Sequence, residues 1–266
     1  MCESFLEHKT YEDRAVASVR MHGDISFSQG GSFYDAVYCM KNYGMVPRDA
    51  MPAPGTLYGD TLTNFNELFP VLEAQVSAIA KSNMKKLSPI WKNSVLSTLD
   101  NYIGKCPTEF MYKGKKYTPE SFQKMMGLNL DDYVSLTSFT HHPFYDKFII
   151  EVQDNWRQPG SWNLPIDEMA RVIDNAVMNG YTVAWGGDVS EDGFTRQGLA
   201  ILYDTETPQD LEGSDMARWL KMTAAEKRAK TIQLGFAAKE KTPTQEQRQK
   251  EFDNWELTDD HGMLIY

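Results

Sequence analysis

Apolar residues recur at helical spacing through the first half of the chain and gather into shorter strand-like runs in the second. Phe5, Leu6, Tyr11, Ala15 and Val19 form one stripe and predict a helix over residues 3–22. A loop follows at 26–32. Phe33, Ala36, Val37 and Met40 then predict a short helix over 33–42, stopped by Gly44. Leu72, Val76, Ile79 and Ala80 keep helical spacing within 64–86, where Pro70 predicts an interruption or kink. A further helix is predicted over 89–103, with Ser88 as cap, Pro89 in the first turn and Gly104 as stop. Residues 110–117 read as a hairpin turning at Lys113-Gly114, and Thr118-Pro119-Glu120 opens a helix to Met126. Residues 64–126 thus look like a helical insertion decorating a core.

The pattern changes near residue 130. Strands are predicted over 132–139 and 148–152, then a polar, aromatic loop over 154–162. Ile166, Met169, Ala170, Ile173 and Val177 mark a helix over 166–178, with Pro165 at its start and Gly180 at its C-terminal cap. A strand over 181–185 follows, ended by Gly186-Gly187-Asp188. Segments 198–203 and 231–236 read as strands, 213–230 as partly helical, and 244–255 as a helix with Thr244 and Gln247 spaced like a capping box. The closing run after His261 reads as a buried strand. The order predicts an α+β fold in two lobes: a helical lobe at 1–130 with its insertion at about 64–126, and a mostly β lobe at 131–266 that carries the histidine.

Composition sharpens this picture. The chain has 266 residues, 41% hydrophobic and 12% aromatic, the profile of a folded globular protein. A net charge of −10 argues against a general nucleic-acid binder. Residues 81–124 hold nine Lys against Asp100, Glu109 and Glu120, a local +6, so the remainder carries −16. That basic stretch reads as a solvated helical face, with polyanion binding as the alternative. No run is long enough to span a membrane. The N-terminal residues lack the basic-then-apolar order of a signal peptide, so a cytoplasmic location is expected, or a periplasmic or exported one if a further segment precedes Met1.

The candidate chemistry centres on Thr258-Asp259-Asp260-His261-Gly262. A neutral imidazole held by a carboxylate or carbonyl makes a general base. The three adjacent side chains alternate in an extended chain, so a nucleophile must come from elsewhere. Taken alone, His261 also reads as a core histidine satisfied by Asp259 or Asp260. His141-His142 with Asp146, joined by His261 or Asp188, could make a metal site, but no spacing requires one, and neither metal nor cofactor is expected. Cys2, Cys39 and Cys106 are odd in number and widely spaced, neither a disulfide framework nor an activated thiolate setting.

Several motifs in order carry a resemblance: Ser28-Gln29-Gly30-Gly31-Ser32-Phe33 leading into a helix, Tyr43-Gly44-Met45-Val46-Pro47, the helix from Leu164-Pro165 to Gly180 feeding a strand, and Thr258-Asp259-Asp260-His261-Gly262-Met263. Together they resemble the papain-like cysteine peptidases, in the bleomycin hydrolase/aminopeptidase C branch, essentially end to end. The resemblance implies a cysteine aminopeptidase acting on peptides, with His261 as the base of a Cys-His-Asn triad. Gly30 and Gly31 would line the cleft, and Asp260 and Gly262 would flank the histidine in the substrate-binding wall. It also implies ring-like hexamers. In the family the nucleophile lies upstream of a position matching Cys2, and the asparagine lies downstream of the histidine. The resemblance therefore implies an internal portion of such an enzyme, expected to be inactive alone; the alternative is a non-catalytic papain-like scaffold or binding protein.

Overall fold

The computed structural model describes residues 2–25, 27–57, 61–191, 193–195, 198–203, 213–235 and 239–266. Ser26 and Phe236, which fall in predicted segments, lie outside the described residues. The fold is α+β, and the chain divides into two compact units: Met1–Ser135 with Lys147–Ser161, and Leu136–Asp146 with Trp162–Tyr266.

The first unit is built on α1 (Glu3–Arg20), α2 (Phe33–Tyr43), α3 (Phe65–Ala80) and α4 (Ile90–Tyr102). The apolar stripe of α1 delivers Phe5, Ala15 and Val19 to one core, where they meet Leu68, Leu72 and Val76 of α3 and Val95 and Leu99 of α4. Residues 64–126 therefore supply much of this core rather than decorating it. The helix at 64–86 is also shorter than predicted, and Pro70 lies inside it without ending it. A proline near the helix start removes few hydrogen bonds. Burying Leu68, Leu72 and Val76 completely, at roughly 1.5–3 kcal/mol each, outweighs that loss.

The hairpin forms as predicted, from β1 (Phe110–Tyr112) and β2 (Lys115–Tyr117), with Lys113 and Gly114 at positive φ as a tight two-residue turn requires. Helix α5 (Pro119–Met126) starts at a capping box between Thr118 and Ser121 and presses Phe122 edge-on against Phe110, Tyr112 and Tyr117, with centroids 5.0–5.8 Å apart. Gly44 ends α2 at φ +81° and lies against the Pro119 backbone, where a Cβ would collide. Its neighbour Met45 donates its N–H to the Pro119 carbonyl at 3.0 Å.

The regular strands of the later segments are shorter than the periodicity suggests. They are β3 (Leu136–Thr137), β4 (Lys147–Ile149) and β5 (Gly160–Asn163). Strand β5 arises inside the predicted aromatic loop, and its Trp162 and Asn163 pair in parallel with Leu136 and Thr137. Asn163, fully buried, explains why this segment is held. Its side chain accepts from the Phe139 N–H and donates to the carbonyls of Phe139, His142 and Pro143.

In the second unit α6 (Ile166–Met178) has the predicted bounds and feeds β6 (Val183–Gly187). α7 (Gly213–Lys221), α8 (Ala224–Leu234) and α9 (Gln245–Asp253) follow, then β7 (His261–Ile265). The strand predicted from residue 231 is instead the end of α8. A capping box, Thr223 with Glu226, starts that helix and carries it through Leu234. Residues 198–203 make only isolated bridges, Phe194 with Ala200 and Tyr203 with Glu240. α9 opens at Thr244, whose hydroxyl accepts from the Gln247 N–H at 3.1 Å.

Two titratable groups on α1 set opposite pH dependences. Burial, then the neighbouring Glu3, push the Glu7 carboxyl up to about 7. A carboxyl raised above its unfolded value favours the fold at low pH, and that contribution is lost as pH rises through about 7. Glu7→Gln is therefore expected to raise unfolding stability at pH 8 by about 1–2 kcal/mol, with less gain at pH 5. Denaturant unfolding at the two pH values checks this; equal gains would refute it. His8 acts the other way. It is 2% exposed, and burial lowers its pKa despite the 3.0 Å bond to Asp100, so its contribution is lost as pH falls below 6.5.

Candidate active site

His261 heads β7 and pairs with Gly187, the last residue of β6, in an antiparallel ribbon. Pairing register and pleat put His261, Met263 and Ile265 on one face with Val183 and Trp185, and Gly262 and Leu264 on the other with Ala184 and Gly186. The ribbon is not the buried strand expected from its apolar run. His261 and Gly262 are exposed, and Leu264 is 59% exposed, because β7 has β6 as its sole strand partner among the described residues. His261 is thus not a satisfied core histidine; its imidazole stands at the open end of the ribbon. Gly187 opposite it leaves room for the Trp185 indole, which lies 2.7 Å from where a Cβ on Gly187 would sit.

A set of carboxylates ties this end together. Asp188, just beyond β6, accepts from the Thr258 N–H at 2.9 Å and hydroxyl at 3.1 Å through one oxygen. Its other oxygen accepts from the Ser190 N–H at 2.9 Å and hydroxyl at 2.7 Å. Partial burial alone would raise the Asp188 pKa, but these bonds from Ser190 and Thr258 together bring it below the ordinary value. Asp260 lies just before β7, and one of its oxygens accepts from the Val189 N–H at 2.8 Å.

Gly30 and Gly31 lie in the first unit, and neither adopts positive φ. Their role is space. The Asp154 carboxylate occupies the position a Cβ on Gly30 would take, and an Asp35 oxygen lies 2.8 Å from a Cβ on Gly31. Arg14, 1% exposed, donates to the Gly30 carbonyl and, at 2.6 Å, to the Ser28 hydroxyl, which in turn donates to Asp154 at 3.4 Å. Arg157 donates to Asp35 at 2.6 Å and to Asp13 at 2.7 Å, with its guanidinium 4.0 Å from the Tyr38 ring centroid and 4.1 Å from that of Trp156. Asp35 also accepts from the Ser32 N–H at 2.9 Å, capping α2. Burial raises the Asp35 pKa against the opposing pull of these bonds. Gly30 is thus engaged on two sides, while Gly31 remains exposed. Of the charged residues around the glycine loop, Asp35 has a local partner in Ser32, three positions before it, whereas Arg14, Asp154 and Arg157 find partners 14 to 144 positions away.

The cysteines lack the setting of a nucleophile. The Cys2 thiol is buried and donates to the Met51 carbonyl at 3.5 Å. Burial raises the Cys39 thiol pKa and pushes that of Cys106 up to about 12. His141 and His142 lie on a loop of the second unit where the Gln249 carbonyl oxygen takes the N–H groups of Thr140 and His141. No helix among the described residues is long and apolar enough to cross a membrane.

Known proteins resemble this chain in sequence and fold. Aminopeptidase G of Lactobacillus delbrueckii subsp. lactis is 25% identical over 202 residues, covering 68% of this chain and 45% of its own length. Aminopeptidase E of Lactobacillus helveticus is 26% identical over 207 residues, covering 66% and 46%. The chain therefore spans about half the length of the curated relatives it matches. The crystal structure of PepW from Lactobacillus rhamnosis superposes with a TM-score of 0.51 at 22% identity, over 71% of this chain and 51% of that one, a likeness of fold. A sequence model described as the Peptidase C1-like family matches residues 2–227, most of the chain though not β7, and on that match the chain belongs to the Peptidase C1-like family.

Proposed function

We propose that this chain is part of a cysteine-type aminopeptidase in which His261 is the general base. The observation that carries the reading is the exposed imidazole at the head of β7, in a chain that belongs to a peptidase family and is similar to two aminopeptidases. In this chemistry the imidazole takes the proton of a thiol, and the thiolate attacks the carbonyl carbon of the peptide. The imidazolium then returns the proton to the leaving amine, and water hydrolyses the acyl-enzyme. The buried Cys2 and Cys39 and the high pKa of Cys106 disfavour all three as that thiol. The attacking thiol is then none of these three. Exposed Gly31 offers its backbone to an extended peptide, and Asp260 and Gly262 flank the base. A two-lobe organisation and assembly into a homo-oligomer are part of the same reading.

The test uses the protein expressed from its complete reading frame. It is expected to hydrolyse fluorogenic aminoacyl amides and to lose that activity on thiol alkylation, while residues 1–266 alone hydrolyse none. No hydrolysis by the longer protein would leave a non-catalytic role, and hydrolysis insensitive to alkylation would remove the cysteine mechanism.

A further inference from the structure

The open end of the β6–β7 ribbon has little to hold it. It has no third strand among the described residues, and the imidazole it carries is exposed. A two-stranded ribbon is marginal in water and frays from its ends. A base placed there would wander by more than the fraction of an ångström that proton transfer tolerates. Something must fix the two segments where they leave the Gly187–His261 pair.

We infer that Asp188 is the positioning residue for His261, locking the two chain segments at the open end of the ribbon into one register. This rests on the reading of His261 as the base. The geometry is reciprocal. Asp188, leaving β6, reaches across to Thr258 ahead of β7, and Asp260, entering β7, reaches back to Val189 beyond β6. Both crossed bonds lie just beyond the Gly187–His261 pair and close the open end of the ribbon. Asp188 does more of the holding, because it also pins Ser190 through its N–H and hydroxyl and so fixes its own segment before it reaches the other. Bonds from N–H groups to a carboxylate are the stronger kind, and together those from Ser190 and Thr258 outweigh the desolvation of the partly buried Asp188. The Asp188 carboxylate accepts from N–H and hydroxyl groups of Ser190 and Thr258, so it acts on His261 through the backbone.

The experiment compares Asp188→Ala, Asp188→Asn and His261→Ala in the protein expressed from its complete reading frame. Asp188→Ala is expected to lower kcat by about 10- to 100-fold with KM nearly unchanged, the signature of a displaced reacting group. Asp188→Asn keeps one acceptor oxygen and falls between it and the parent. Amide exchange at Val189 and Thr258 is expected to quicken at least tenfold in Asp188→Ala, while the thermal midpoint stays put because Asp188 lies outside the core. An unchanged kcat in a protein that His261→Ala inactivates would overturn the inference and leave the base intact. If His261→Ala retains activity, or the parent shows none, the base reading is what fails. The positioning of the ribbon is then decided by amide exchange in residues 1–266, where unchanged rates at Val189 and Thr258 overturn it.

Discussion

His261→Ala is expected to reduce kcat of the complete protein by roughly 10³-fold or more, with KM little altered. The magnitude follows from what the imidazole does in the proposed mechanism. It creates the thiolate and later protonates the leaving amine, so its removal impairs both the attack and the departure of the amine. Nucleophile and base act as one unit, and losing either costs nearly as much as losing both. The fold is expected to be indifferent, because His261 is exposed. An unchanged melting midpoint beside a lost kcat would separate chemistry from stability. Retention of more than a tenth of the activity would sink the assignment.

Arg14→Ala is expected to destabilise the chain by about 3–5 kcal/mol, the loss typical of breaking a buried charge cluster from one side. Arg14 is nearly inaccessible, and it lies near Asp35 and Asp154, whose charges offset the strain its burial puts on the guanidinium. Removing it orphans the Gly30 carbonyl, withdraws the donor to Ser28 and leaves Asp154 against Gly30 without its compensating charge. Against a typical total of about 5–15 kcal/mol, such a loss moves the urea midpoint far toward water. Arg14→Lys keeps the charge but cannot fork to two acceptors, and is expected to recover only part of it. A loss below about 1 kcal/mol for Arg14→Ala would mean that solvent already satisfies this cluster.

The elements that local chemistry specifies were legible in the sequence. α1, α2 and α6 follow their apolar stripes, and the hairpin follows Lys113-Gly114. The Thr223-to-Glu226 spacing is equally local and announces α8, which runs through Leu234 where a strand is predicted from residue 231. What periodicity could not reach depends on distant partners. β5 exists because Asn163 finds carbonyls some 20 positions earlier. Gly30 and Gly31 leave space beside Asp154 and Asp35, residues 4 to 124 positions away, without adopting positive φ. Of the candidate site, His261 is exposed although it opens an apolar run. The Asp188 clamp spans 70 residues and leaves no mark in the spacing beyond a Gly-Gly-Asp turn. The buried strand expected after His261 failed for a related reason: apolar content cannot say which surfaces will cover it.

Asp35 holds the first turn of α2, pairs with Arg157 and borders Gly31, all through one carboxylate. The loop before α2 cannot swing outward without uncapping that helix and stripping an ion pair in the same movement. Local opening there is therefore no cheap fluctuation of a glycine-rich turn. It belongs to the slow, high-free-energy end of the motions available to the first unit, so the exposed backbone at Gly31 is offered to solvent as a rigid edge.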